Sequence, residues 1–158
     1  MAMDLYWKGI VASLGEDPRT KKARSPGRFG DIALVTSPQN DGEGATETVG
    51  RLAYRAVTGR SPRAASTRKT LSTAVHWTYG GLQGALFGVL RGGRVRSPDV
   101  VGGAAFGTLL WGVSEVVLPM LGLGSGPTAY PAEHHTSSWG AHAVYGATAS
   151  AVAQALAD

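Results

Sequence analysis

Three side chains in this sequence combine ionisable chemistry with apolar surroundings: His76, Glu115 and His142. The two histidines open the same local pattern, His76-Trp-Thr-Tyr79-Gly80 and His142-Ala-Val-Tyr145-Gly146, and Glu115 lies in the apolar run between them. A carboxylate flanked by two imidazoles can share protons, because histidine titrates near neutral pH. The same trio is a candidate ligand set for a divalent metal such as zinc, with His134 or His135 as a fourth ligand. The plainer alternative is hydrogen bonding that holds helices together. Tyr79 and Tyr145 then serve as core aromatics with one polar contact each.

Other chemistry is poorly represented. The chain has no cysteine, which excludes disulfides, thiolate ligands and a cysteine nucleophile. It has no glycine loop followed by a phosphate-binding lysine and no nucleophile elbow. No resident cofactor is expected, and the residues favour a non-enzymatic role. The basic half of the chain lacks interleaved aromatics, which argues against nucleic acid as a partner.

The elements that must position these residues are apolar runs. Charged residues make up 16% of the chain, against about 25% in an ordinary soluble domain. Most of that charge sits in residues 1–70, a basic region with twelve of the fifteen bases, and residues 71–158 hold three bases and four acids. The sequence predicts an all-α integral membrane bundle with spans over 71–90, 100–121 and 138–157. A bilayer span needs about 20 apolar residues. Gly80, Gly84 and Gly88 repeat at four-residue spacing, as do Gly103 and Gly107. In the last run Ala143, Ala147 and Ala151 form one stripe, with Gly146 beside it. Small residues so spaced let helix backbones approach closely in a membrane. Gln83 and His76 must then face other helices. Pro119 removes one backbone donor and predicts a kink.

Upstream, Leu5 to Leu14 reads as a short interfacial helix, with Tyr6 and Trp7 at headgroup level. Residues 16–44 hold several prolines and the bases Arg19, Lys21, Lys22, Arg24 and Arg28, and read as a mobile linker able to meet anionic lipid. Residues 45–58 form an amphipathic helix that stops at Gly59.

Depth can be counted from helix rise, 1.5 Å per residue. His76 lies roughly 7 Å from Leu71, His142 roughly 6 Å from Ser138, and Glu115 roughly 9 Å from Leu121. All three are therefore expected at one level, beneath a loop that carries Tyr130, Glu133, His134 and His135. Short basic loops face the cytoplasm. That favours the Arg91 to Arg96 turn inside and the Gly122 to Ser137 loop outside, whereas Arg60, Arg63, Arg68 and Lys69 at the opposite end of the first span favour the reverse, so orientation stays open.

The ordered set His76-x-x-Tyr79-Gly80, Trp111…Glu115…Leu118-Pro119, Pro127-Thr-Ala-Tyr130-Pro131 and His142-x-x-Tyr145-Gly146 resembles the YagU-like family of small bacterial inner-membrane proteins of unknown function. The resemblance covers roughly residues 44–157. It implies a multi-pass protein of the inner membrane and brings no established activity; the glycine and alanine stripes are what suggest contacts with a second copy or a larger membrane complex. The family pattern begins with a further full span, which is shortened or missing here.

Overall fold

The computed structural model describes residues 2–21, 29–35, 38–40, 42–92 and 99–156. Five helices run through them: α1 (Ala2–Leu14), α2 (Ala45–Thr58), α3 (Ala65–Leu90), α4 (Val100–Met120) and α5 (Ala132–Ala155). Short 3-10 turns at Pro18–Thr20 and Pro127–Ala129 precede α2 and α5.

The helix ends follow local chemistry. α2 carries Glu47 in its first turn and Arg55 in its last, matching the helix dipole. It stops at Gly59, whose φ of 71° only glycine adopts freely, and whose N–H bonds the Arg55 carbonyl. Asp99 caps α4 by accepting from the Gly102 N–H at 2.7 Å. It also meets Arg91 at 2.5 Å, tying the end of α3 to the start of α4. The Gly102 amide, and after it Arg91, holds the Asp99 carboxyl below its usual range. Pro119 falls in the last turn of α4 and is buried there.

Two helix pairs dominate. α5 lies along α4, and α2 folds back on α3. The α4–α5 contact is backbone on backbone. A methyl group at Gly103 would lie 2.9 Å from the Gly146 carbonyl carbon and from Ser150 Cβ. One at Gly107 would strike the His142 carbonyl and lie 2.7 Å from its carbon. One at Gly146 would strike the Gly103 carbonyl in return. Along α3 the glycines matter less: Gly80 and Gly84 only meet the Tyr145 ring and hydroxyl at 3.9 and 3.6 Å, and Gly88 faces open space. Buried hydrophobic side chains are few among the described residues: Phe87, Leu110, Ala129 and Ala141. Phe87 meets Phe106 of α4 at a ring distance of 5.0 Å.

The all-α expectation holds, but the three-span bundle does not. Among the described residues α4 alone is long and apolar enough to cross a membrane. α3 begins at Ala65, six residues before the expected span, and takes in Arg68, Lys69 and several hydroxyls before reaching His76 and Gln83. α5 begins at Ala132 instead of Ser138 and takes in Glu133, His134, His135 and Thr136. Its remaining length is mostly alanine, glycine and serine, whose small side chains carry little apolar surface. The N-terminal α1 has 13 residues, and a span needs about 20.

The segment 16–44 is not structureless where it is described. Gly126 donates its N–H to Gly30 at 2.8 Å, and Leu34 donates to Met120 at 2.9 Å. Arg19 pairs with Asp17 at 2.6 Å and covers the Trp7 ring at 4.7 Å. Lys22, Arg24 and Arg28 of the basic series lie outside the described residues, as do Arg94 and Arg96 of the basic turn.

Candidate functional site

Glycine contacts set the register of α4 against α5. Gly103 faces Gly146 and Ser150, Gly107 faces His142 and Ala143, and Thr108 accepts a hydrogen bond from the Trp139 indole N–H at 3.0 Å. Residue numbers across the antiparallel pair therefore sum to about 250. Followed eight residues along α4 from Gly107, this register brings Glu115 opposite the first turn of α5. There Glu115 Oε2 meets His135 Nδ1 at 2.8 Å. Both side chains are largely shielded, with 18% and 23% exposure.

His135 Nε2 lies 2.8 Å from the Pro127 carbonyl. A carbonyl only accepts, so Nε2 must carry a hydrogen. Nδ1 then faces a carboxyl group, and that contact needs one proton between the two atoms. Either His135 is an imidazolium beside a carboxylate, or a neutral imidazole beside a protonated Glu115. The charge of the pair is zero in both forms.

A polar cap surrounds this pair. Tyr130 stacks on His134 with ring centres 4.3 Å apart and presents its edge to His135 at 6.4 Å. His134 Nδ1 donates to the Pro18 carbonyl at 3.2 Å. Lys21 bridges Glu16 at 2.6 Å and Glu133 at 2.7 Å, and the hydrogen bonds it donates to these carboxylates, Glu133 first, raise its pKa. The 3-10 turn at Pro18–Thr20 is thus fastened to the first turn of α5. α1 reaches α5 as well, through Tyr6 against Gly140.

No family model matches this chain, and no curated protein or solved structure matches it either. The likeness to YagU-like proteins therefore rests on the ordered motifs alone.

The expected trio is distributed differently. His142 donates from Nδ1 to the Ser138 carbonyl of its own helix at 2.8 Å. It sits opposite Gly107, which is roughly 12 Å along α4 from Glu115 at 1.5 Å per residue. His76 is exposed on α3, where it lines a shallow cavity of about 280 Å³ with Asp4, Thr46, Ser72, Thr73 and Trp77. Tyr145 donates to the Gly80 carbonyl at 2.5 Å, and Tyr79 is half exposed. Among the described residues no three histidine or acidic side chains are grouped so as to hold a metal ion. Gln83 Oε1, Trp111 Nε1 and Ser150 Oγ are buried without a hydrogen-bond partner.

The pairing of Glu115 with His135 is what counting from Ser138 misses. Pro131 just ahead of the helix and Glu133 in its first turn are start signals. Read as such, they move the start of α5 back to Ala132 and bring His135 into the helix.

Proposed function

We propose that this chain is a membrane-associated helical protein with a structural or accessory role, and that the outer face of α4 is its lipid contact. One observation supports this above others. α4 is the most apolar helix, yet only 17% of its most apolar stretch is buried within the protein. A helix that apolar in a soluble domain forms the core. Here Val101, Leu109, Val113, Val116 and Val117 are exposed. Its 21 residues reach about 32 Å, close to the thickness of a bilayer's hydrocarbon layer.

Membrane fractionation with alkaline carbonate tests the proposal. The full chain is expected to stay with the membrane and to require detergent for extraction. The double substitution Leu109→Glu/Val113→Glu is expected to release it while helical content persists. A wild-type chain that is monodisperse in water without detergent would overturn it.

Proton handling is a second reading, favoured by the proton that Glu115 and His135 must share. It predicts proton flux in vesicles carrying the protein, measured with a pH-sensitive dye, and loss of that flux in Glu115→Gln. Equal flux in the variant rules it out.

A further inference from the structure

Between Glu47 and Asp99 the chain contains no acidic residue, and it contains nine bases. The neighbouring acids are already taken. Glu43 binds Arg51 at 2.7 Å, Glu47 meets Arg68 at 3.4 Å, and Asp99 holds Arg91 at 2.5 Å. Among the described residues Arg60 and Arg63 have no ion pair. The turn between α2 and α3 brings both to one cleft of about 620 Å³, lined by Tyr54, Arg60, Ser61, Pro62 and Arg63.

The shape of this cleft has local causes. Gly59 ends α2 in a left-handed turn, and Thr58 Oγ accepts from the Arg60 N–H at 3.3 Å. Pro62 is buried and anchors the middle of the turn. The two arginines therefore start from a restrained backbone on either side of Ser61 and Pro62. Their planar donor arrays match tetrahedral oxyanions, to which guanidinium bonds in pairs. Tyr54 and Ser61, which also line the cleft, carry hydroxyls that can act as neutral donors.

We propose that the cleft at the α2–α3 turn is a phosphate-binding site, with Arg60 and Arg63 as its cationic ligands. The phosphate is either a free anion or the diester of a lipid headgroup. The site does not depend on α4 entering a bilayer.

The experiment uses the full chain in neutral detergent, titrated with inorganic phosphate by calorimetry. In parallel, its binding is measured to vesicles of phosphatidylcholine alone and with added phosphatidylglycerol. Saturable binding of inorganic phosphate identifies a free-anion site. Preference for phosphatidylglycerol vesicles without that binding identifies the lipid headgroup. In either arm Arg60→Gln/Arg63→Gln is expected to weaken binding about 30-fold, from two lost charge-assisted hydrogen-bond sets. Arg55→Gln/Lys69→Gln removes the same charge outside the cleft and is expected to weaken it about fivefold or less. Equal loss in both double variants would show general charge attraction and overturn the proposal. So would the absence of binding in both arms. Attachment to pure phosphatidylcholine vesicles reports on α4 instead, and is expected to survive the cleft substitutions.

Discussion

The α4–α5 and α2–α3 pairs are both helices packed side by side with a glycine against the facing chain, Gly107 against His142 and Gly50 against Leu71, and they differ in what is added to that contact. Along α4 and α5 glycines let two backbones touch, with little charge until Glu115 meets His135. Around α2 the fastening is ionic. Glu43 takes two hydrogen bonds from Arg51 at 2.7 and 2.8 Å, and Arg51 also reaches the Pro38 carbonyl at 2.5 Å. Asn40 and Thr48 donate to the same carboxylate, and Thr46 meets Ser72 of α3 at 2.8 Å. The first pair tolerates no added volume at its centre. The second adds an ionic brace at the start of α2, with Glu47 and Arg68 as the ion pair that crosses to α3 at 3.4 Å. A protein with few buried hydrophobic side chains relies on both.

Gly107→Ala is the sharpest way to break the first pair. The new methyl group collides with backbone, which cannot rotate away, so a cost of about 3 kcal/mol or more is expected. Thermal unfolding in detergent measures it; an unchanged midpoint would mean that the helices are farther apart than described. Arg51→Met attacks the ionic brace at the start of α2, leaving the Glu43 carboxylate shielded and without its cation. A loss of about 2–3 kcal/mol is expected.

The same ion pair sets an acid limit. Hydrogen bonds from Arg51, and after it from Asn40, hold the Glu43 carboxyl at about 2, below the usual 4.5. A depressed carboxyl stabilises the fold fully above its unfolded pKa, and that stability falls as pH drops through the folded value. Unfolding of wild type is therefore expected to become easier from about pH 4.5 down to about pH 2. Arg51→Met should flatten that limb, and a variant with the wild-type acid profile would count against the pairing.

Glu115→Leu and His135→Phe each remove half of the shared-proton contact. Each is expected to cost about 1–2 kcal/mol, and the double variant less than their sum. Strict additivity in that cycle would deny the contact. The smallest effect should have the opposite sign. Gly88 faces open space in mid-helix, so Gly88→Ala is expected to stabilise by about 0.5–1 kcal/mol. Destabilisation there would reveal a neighbour that α3 lacks in isolation.

Local signals in the chain were legible where one residue carries the decision. Ala45–Thr58 was expected as a helix ending at Gly59, and the structure has it so. Gly103, Gly107 and Gly146 were named as packing residues, and each lies against a facing backbone. The spans were not legible in the same way, because glycine and alanine periodicity signals close packing without saying whether lipid or protein surrounds it. α3 and α5 carry that periodicity but not the apolar surface of α4. Nor does an apolar run mark where its helix starts. The six residues from Ala132 to Ser137 shift the facing positions along α5 by about 9 Å.

From the sequence alone came the helical class, the absence of cysteine, the glycine seams and the position of Glu115 as a lone acid in an apolar helix. Only the tertiary structure decided which histidine meets it. Composition and spacing act along the chain, but a side-chain pair depends on the register between two helices. In α4 and α5 that register is set by glycine contacts at Gly107 and Gly146, two turns or more away from the residues they bring together.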